Sequence, residues 1–229
     1  MSNFEEKFLI VGAGPCGLAM AKALKEAAIA YDQVEADDGV GGNWYHGVYQ
    51  TAHIISSKKT TEYPDFPMPA DYPDFPSGKQ MADYYRLYAD AFGLLGNIQF
   101  KTKVIMCRPL ENEKWQVEFE SGERQIYKGV VVCNGHRWHR RFPSYPGEFA
   151  GEYIHSKDYL SPEQLENKRV LVIGGGNSAC DIVSEAAARR KGSAFKPPAR
   201  LPASGALWRF DWRKRESTVW RLPTRTKWV

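Results

Sequence analysis

One arrangement occurs twice in this 229-residue chain: a short apolar run, a glycine-rich turn, and a segment with helical apolar spacing. It reads KFLIVGAGPCGLAMAKALKEA from Lys7 and KRVLVIGGGNSACDIVSEAAARR from Lys168. A strand, a tight turn and a helix in that order bury their apolar faces by folding the helix back over a parallel sheet. The expected fold class is therefore α/β: a doubly wound, Rossmann-like domain with the start of a second dinucleotide fold. The first copy continues into AYDQVEA, a short run ending in an acid, which completes strand, helix and strand.

The first turn carries chemistry. Gly12, Gly14 and Gly17 fit G-x-G-x-x-G, with Ala13, Pro15 and Cys16 between them. Glycines there let the backbone approach a pyrophosphate, whose charge is stabilised by the exposed N–H groups and dipole of the helix N-terminus. Glu35 closes the second strand 21 residues after Gly14, where an acid accepts hydrogen bonds from an adenosine ribose. Downstream, Gly41, Gly42, Asn43 and Trp44 leave that strand as GGNW, suited to a backbone brought close to a flat ring system.

The second turn, Gly174, Gly176 and Ala179 with Asn177 and Ser178 between, fits G-x-G-x-x-A. No acid stands at the equivalent of Glu35; the sequence offers Arg189, Arg190, Lys191, Lys196 and Arg200 instead. Bases without an acid favour a 2′-phosphate, hence NADPH over NADH. One site suited to FAD and one to NADPH describe a flavoprotein reduced by a nicotinamide.

Between the turns, residues 37–79 hold prolines at 64, 67, 69, 73 and 76 and read as a long irregular loop of the functional kind. QMADYYRLYADAFGL has helical spacing, while KVIMCRPL, WQVEFES and QIYKGVVVCNG read as strands, WQVEFE with one wet face. No short-period repeat runs through the chain, and beyond the second helix no strand is expected. The domains expected are 1–160 for FAD, 161–190 for the start of the NADP fold, and 191–229 as a basic tail. Residues 1–185 carry 19 basic against 25 acidic side chains, and residues 186–229 carry 12 against 2, with Trp208, Trp212, Trp220 and Trp228.

Composition removes several alternatives. Cys16, Cys107, Cys133 and Cys180 form no C-x-x-C pair, so no disulfide framework, metal site or dithiol centre is expected. That spacing also disfavours a disulfide or ferredoxin reductase. No apolar run approaches the roughly 20 residues of a membrane span, and the acidic start, MSNFEEKFLIVGAG, does not read as a signal peptide. A cytoplasmic location is expected.

FAGEYIHSKDY, from Phe149, matches F-x-G-x-x-x-H-x-x-x-Y through Phe149, Gly151, His155 and Tyr159. With GGNW, YPDFPMP, YPDFPS and VVVCNGH in the same order, the chain resembles the N-terminal portion of the flavin-containing monooxygenases over residues 7–187. Leu160 stands where the related Baeyer–Villiger enzymes tend to have Trp, so the branch oxygenating amines and sulfides is the nearer. The resemblance implies that NADPH reduces FAD and that the reduced flavin captures oxygen as a C4a-hydroperoxide. That species then passes one oxygen atom to a soft nitrogen or sulfur nucleophile. The fingerprint is expected to set the geometry between the cofactors: Gly151 turns the chain, Phe149 and Tyr159 anchor it by packing, and His155 hydrogen-bonds across the junction.

Two departures from the family stand out. The family usually carries an Asn just ahead of a Lys in the long loop; here Ile55, Ser56, Ser57 and Lys58 stand in that run. Ser56 or Ser57 is the candidate for a replacement hydrogen bond; without one, NADPH consumption releases hydrogen peroxide. The second departure is the basic, Trp-rich ending, which reads as an N-terminal portion closed unusually, with no nucleic-acid partner expected. Residues 186–229 are expected to be irregular, with a packed tryptophan cover as the rival. A non-catalytic dinucleotide-binding fragment is the alternative to an enzyme.

Overall fold

Four large apolar residues in a row, Phe8–Val11 (β1), form a strand whose alternate side chains serve two cores. Ile10 packs in one cluster and Leu9 in the other, and both are fully buried. Each such side chain contributes about 1.5–3 kcal/mol by leaving water. The structure is a computed structural model that describes residues 4–136, 139–189 and, as backbone, 207–209. It divides into two compact units, Met1–Pro143 and Ser144–Val229.

In the first unit β1 is followed by helix Pro15–Glu26 (α1), with proline at its first turn, and strand Tyr31–Val34 (β2). Helix Gly78–Ala91 (α4) and strands Ile98–Gln99 (β3) and Gly129–Val132 (β7) complete a βα layer. The sheet is parallel, in the order β3-β2-β1-β7, with Phe8 opposite Tyr31 on one side and Gly129 on the other. One face is covered by α1 and α4. On α4 the residues Met81, Tyr84, Tyr85 and Tyr88 are buried, at the spacing of one helical face.

The other face is covered by an antiparallel meander of Val104–Pro109 (β4), Trp115–Phe119 (β5) and Arg124–Tyr127 (β6). Val117, Phe119 and Tyr127 meet Leu9 and Val34 there. This three-layer arrangement is the Rossmann-like α/β fold expected from the first strand–turn–helix unit, with a β-meander where a doubly wound sheet carries its second layer of helices.

The structure differs from the sequence expectation at three places in this unit. QIYKGVVVCNG is two strands, because Lys128 ends the meander by donating its N–H to the Lys7 carbonyl at 2.9 Å, and the chain then enters the parallel sheet. The long loop contains two single-turn helices, Asn43–His46 (α2) and Lys58–Thr61 (α3). Helix α4 starts two residues ahead of the apolar pattern because Ser77 and Gln80 form a reciprocal capping box.

The second unit holds strand Leu171–Ile173 (β8), the second glycine turn and helix Asn177–Ala188 (α5). Strand Leu207–Arg209 (β9) pairs antiparallel with β8, Leu171 opposite Arg209. This corrects the expectation that nothing after α5 is a strand: β8 finds a partner within the basic ending. Trp212, Trp220 and Trp228 lie outside the described residues. Among the described residues no helix is long and apolar enough to cross a membrane.

The tightest constraint in the first unit is at Gly17, where an added Cβ would lie 2.0 Å from the Gly12 carbonyl oxygen. Gly17→Ala should therefore push α1 off β1 and cost about 1–3 kcal/mol, the usual range for an overpacked core. Urea unfolding checks it: an unchanged midpoint would show that the turn gives way freely.

Candidate functional site

β1 delivers the chain to Gly12, which adopts φ 110°, a region that side chains rarely occupy. A Cβ there would lie 2.4 Å from the Cys133 carbonyl oxygen at the end of β7. The Gly12 carbonyl accepts from Gln33 Nε2 at 2.9 Å, and Gln33 is fully buried, so an amide of β2 holds the turn from beneath. The chain then passes Ala13 to Gly14, the N-cap of α1, where no side chain caps the helix. The first amides of a helix have no intrahelical partner, so the start of α1 presents N–H groups and the positive end of the helix dipole.

A second backbone closes on this turn. Gly41 donates its N–H to the Ala13 carbonyl at 3.0 Å. Gly42, at φ 57°, approaches Gly14 so closely that a Cβ on it would lie 3.0 Å from the Gly14 Cα. Cys16 is exposed in the turn, whereas burial pushes the half-buried Cys133 thiol above its ordinary value.

Glu35 stands beside the turn and is already in use. Its Oε2 accepts from the Ala13 N–H at 2.6 Å and its Oε1 from the Asp37 N–H at 2.9 Å. The carboxylate thus ties the glycine turn to the end of β2, a role the sequence pattern does not reveal. Each carboxylate oxygen retains a further acceptor direction.

Asn43 and Trp44 open α2. The Asn43 amide folds over its own turn, since a Cβ on Gly47 would lie 2.1 Å from Asn43 Oδ1. Trp44 is half-buried and forms one wall of a groove of about 390 Å³ shared with Val40, Tyr45, Tyr49, Ala82 and Arg86. Asp37, Asp38 and His46 meet on the exposed side of α2, with His46 Nε2 3.8 and 3.5 Å from the two carboxylates. Hydrogen bonds from Tyr45 and His46 hold the Asp38 carboxyl below its ordinary range.

Ser56 and Ser57 sit side by side before α3, and each is engaged locally. Ser56 Oγ lies 2.7 Å from Thr61 Oγ1, and Ser57 Oγ 3.2 Å from Thr60 Oγ1. Lys58 is turned into the proline-rich segment, where its ammonium donates to the Tyr72 and Ala70 carbonyls at 2.5 and 3.3 Å. Ile55 is 68% exposed.

The second glycine turn is open by comparison. Gly174 needs its freedom, with φ 132°, but a Cβ on Gly175 or Gly176 would meet nothing within 4 Å among the described residues. Asn177, Ser178 and Ala179 form the first turn of α5, again without a side-chain cap. Arg189, one of the bases expected for a 2′-phosphate, is paired at 2.5 Å with both Glu163 and Glu166. Arg190, Lys191, Lys196 and Arg200 lie outside the described residues.

The fingerprint stretch falls within this second unit. Tyr159 is buried and donates its hydroxyl to Glu185 of α5, an anchor of the kind expected. Burial and the Glu185 carboxylate together push that hydroxyl far above its ordinary value. Phe149 is not the packed anchor anticipated: it is 71% exposed, and its ring lies over Gly151, where a Cβ would be 2.5 Å away. His155 Nδ1 accepts from the Lys157 N–H at 3.0 Å, within a local turn.

The structure thus gathers Gly12, Ala13, Gly14, Pro15, Cys16, Gly17, Glu35 and Gly42 around one helix start, with Trp44 on the adjoining turn. Comparison with known proteins bears on the family and the fold. A model of the family described as flavin-binding monooxygenase-like matches residues 5–194. The dimethylaniline monooxygenase [N-oxide-forming] 2 of Oryctolagus cuniculus is 34% identical over 244 residues, covering 94% of this chain and 45% of that protein. Among solved structures, the S-allyl-L-cysteine S-oxygenase of Allium sativum superposes with a TM-score of 0.75 at 23% identity, over 86% of this chain and 54% of that one. That likeness is one of fold. OTEMO, solved in complex with FAD and NADP, superposes at 0.68 and 26% identity, over 81% of this chain and 37% of that one. The chain spans less than half the length of the curated relatives it matches.

The double use of Glu35 has a measurable consequence. Glu35→Gln leaves one acceptor oxygen for two backbone N–H groups, so one bond to a charged acceptor is lost. The protein without ligand should lose about 1–3 kcal/mol, read as a lower urea midpoint. An unchanged midpoint would mean that water replaces the carboxylate at no cost.

Proposed function

The chain belongs to the flavin-binding monooxygenase-like family, and from that premise we propose that it holds FAD on the first glycine turn and serves an NADPH-dependent oxygenation of a soft nitrogen or sulfur nucleophile. The observation carrying this is the cradle at α1: two facing glycine backbones, Gly14 and Gly42, before an uncapped helix start. A side chain on Gly42 would fill that space, and the amides of the first turn are oriented for a pyrophosphate. The residues present therefore fit the group.

In this reading Glu35 takes the ribose hydroxyls on the acceptor directions left free by Ala13 and Asp37. Gly42, Asn43 and Trp44 border the path toward the ring system. NADPH is assigned to the turn at Gly174, Gly176, Asn177, Ser178 and Ala179, with its 2′-phosphate met by bases near the end of α5. The bound flavin supplies the redox and oxygen chemistry, so the protein contributes orientation and exclusion of water. In the coupled reaction NADPH, a proton, oxygen and substrate give NADP⁺, water and the oxygenated product.

A second reading, an oxidase that releases hydrogen peroxide, is favoured by the long loop. Ile55 offers no hydrogen bond from its side chain, and the hydroxyls of Ser56 and Ser57 already face threonines. Without a donor there, NADPH, a proton and oxygen give NADP⁺ and hydrogen peroxide.

Two measurements test these readings. The purified chain should bind FAD and turn yellow, and Glu35→Gln should weaken that binding about tenfold, as for loss of a charged hydrogen-bond acceptor; a chain that takes up no added FAD would leave a non-catalytic fragment. With an amine or sulfide at saturation, hydrogen peroxide should exceed oxygenated product. Tight coupling would instead mean that Ser56, Ser57 or another group supplies the donor, and release of peroxide by Ser56→Ala or Ser57→Ala would identify a serine as that group.

A further inference from the structure

The pentapeptide Tyr-Pro-Asp-Phe-Pro occurs twice in the long loop, at residues 63–67 and 72–76. The first copy is turned inward. Its tyrosine, Tyr63, donates its hydroxyl to the Pro15 carbonyl at 2.5 Å, across 48 residues of sequence. The Tyr63 ring packs on Tyr88 of α4 with centroids 4.2 Å apart. Its N–H donates to the Tyr84 hydroxyl at 2.8 Å, and that hydroxyl donates to the Phe66 carbonyl at 2.6 Å. Asp65, in the same copy, pairs with Lys22 further along α1 at 2.7 Å. The segment is fastened to α4 by two tyrosines and to α1 at two points, so Tyr63 reaches Pro15 from a fixed base.

We propose that Tyr63 is a positioning residue of the cofactor site, acting through the peptide plane that joins Pro15 to Cys16. The carbonyl of Pro15 and the N–H of Cys16 belong to one planar trans peptide and point in opposite directions. Holding the carbonyl from the helix side fixes where the N–H points, and that is outward from the start of α1. A hydrogen bond to the carbonyl also polarises the N–H at the other end of the plane and makes it a stronger donor. Tyr63 is suited to the task, because burial pushes its hydroxyl far above the ordinary value and it remains a donor at any working pH. The inference rests on the reading that FAD binds at this turn, where the Cys16 amide would meet the pyrophosphate.

The test uses the full chain labelled with ¹⁵N-cysteine, which gives four candidate amide signals, from Cys16, Cys107, Cys133 and Cys180. Tyr63→Phe keeps the ring and removes only the hydroxyl. It should shift the Cys16 amide proton upfield in the ligand-free protein and leave the other three in place, while the Kd for FAD rises about 3- to 10-fold, the size of one net hydrogen bond. An unmoved Cys16 signal, or an unchanged Kd, overturns the proposal, and movement of all four signals would reduce Tyr63 to a general structural role. If Tyr63→Phe does not fold, 3-fluorotyrosine placed at position 63 strengthens the donor and should move the Cys16 signal and the Kd the opposite way; no change there is equally fatal. Wild-type protein that fails to bind FAD would remove the cofactor reading itself and this inference with it. Wild-type protein that binds, with a variant that binds as well, removes only the role of Tyr63.

Discussion

The first unit depends on how closely α1 sits on the turn that precedes it. Gly17 leaves no room between helix and turn, and Gly12 leaves none between turn and β7. The N-cap of that helix, Gly14, has no side chain to close its start, and the first amides stay open. The polar cost of the tight turn is met from below and beside it: Gln33 bonds the Gly12 carbonyl and Glu35 bonds the Ala13 N–H. An apolar side chain at either position would leave a backbone group without that partner, at the penalty of an unsatisfied buried group.

The two glycine turns share a pattern and differ in their surroundings. The first is enclosed by backbone on three sides, from Cys133, Gly42 and its own helix. The second is exposed, with Gly174 alone needing a special backbone angle. Their electrostatics also differ. A carboxylate stands at the first turn, while the described base near the second, Arg189, is shared between two glutamates. Its charge is largely balanced where it stands.

Much of this was legible in the sequence wherever a period or a spacing carried it. The run FLIV, the glycine spacing, the acid at Glu35 and the helical stripe on α4 each reflect a local rule. Most of what escaped the reading arises from contacts between residues far apart in sequence. Lys128 looks like one polar residue in an apolar run, yet its bond to Lys7 separates two sheets. β9 has no strand signature of its own and is a strand through pairing with β8. Phe149 keeps its place in a motif but stacks on its neighbour Gly151 rather than in a core. Tyr63 is one of twelve tyrosines, and no spacing marks which of them will reach a helix start.

The seat of Lys58 on the second copy of the pentapeptide carries a consequence for how this segment can change. The two copies stand nine residues apart, so a slip of the gene by one copy in frame would leave a chain that still reads Tyr-Pro-Asp-Phe-Pro. The copies are not interchangeable in space: one grips Pro15 and Lys22, while the Tyr72 carbonyl of the other receives the Lys58 ammonium. A single surviving copy cannot stand in both places. Identity of sequence here conceals a division of labour between two distinct parts.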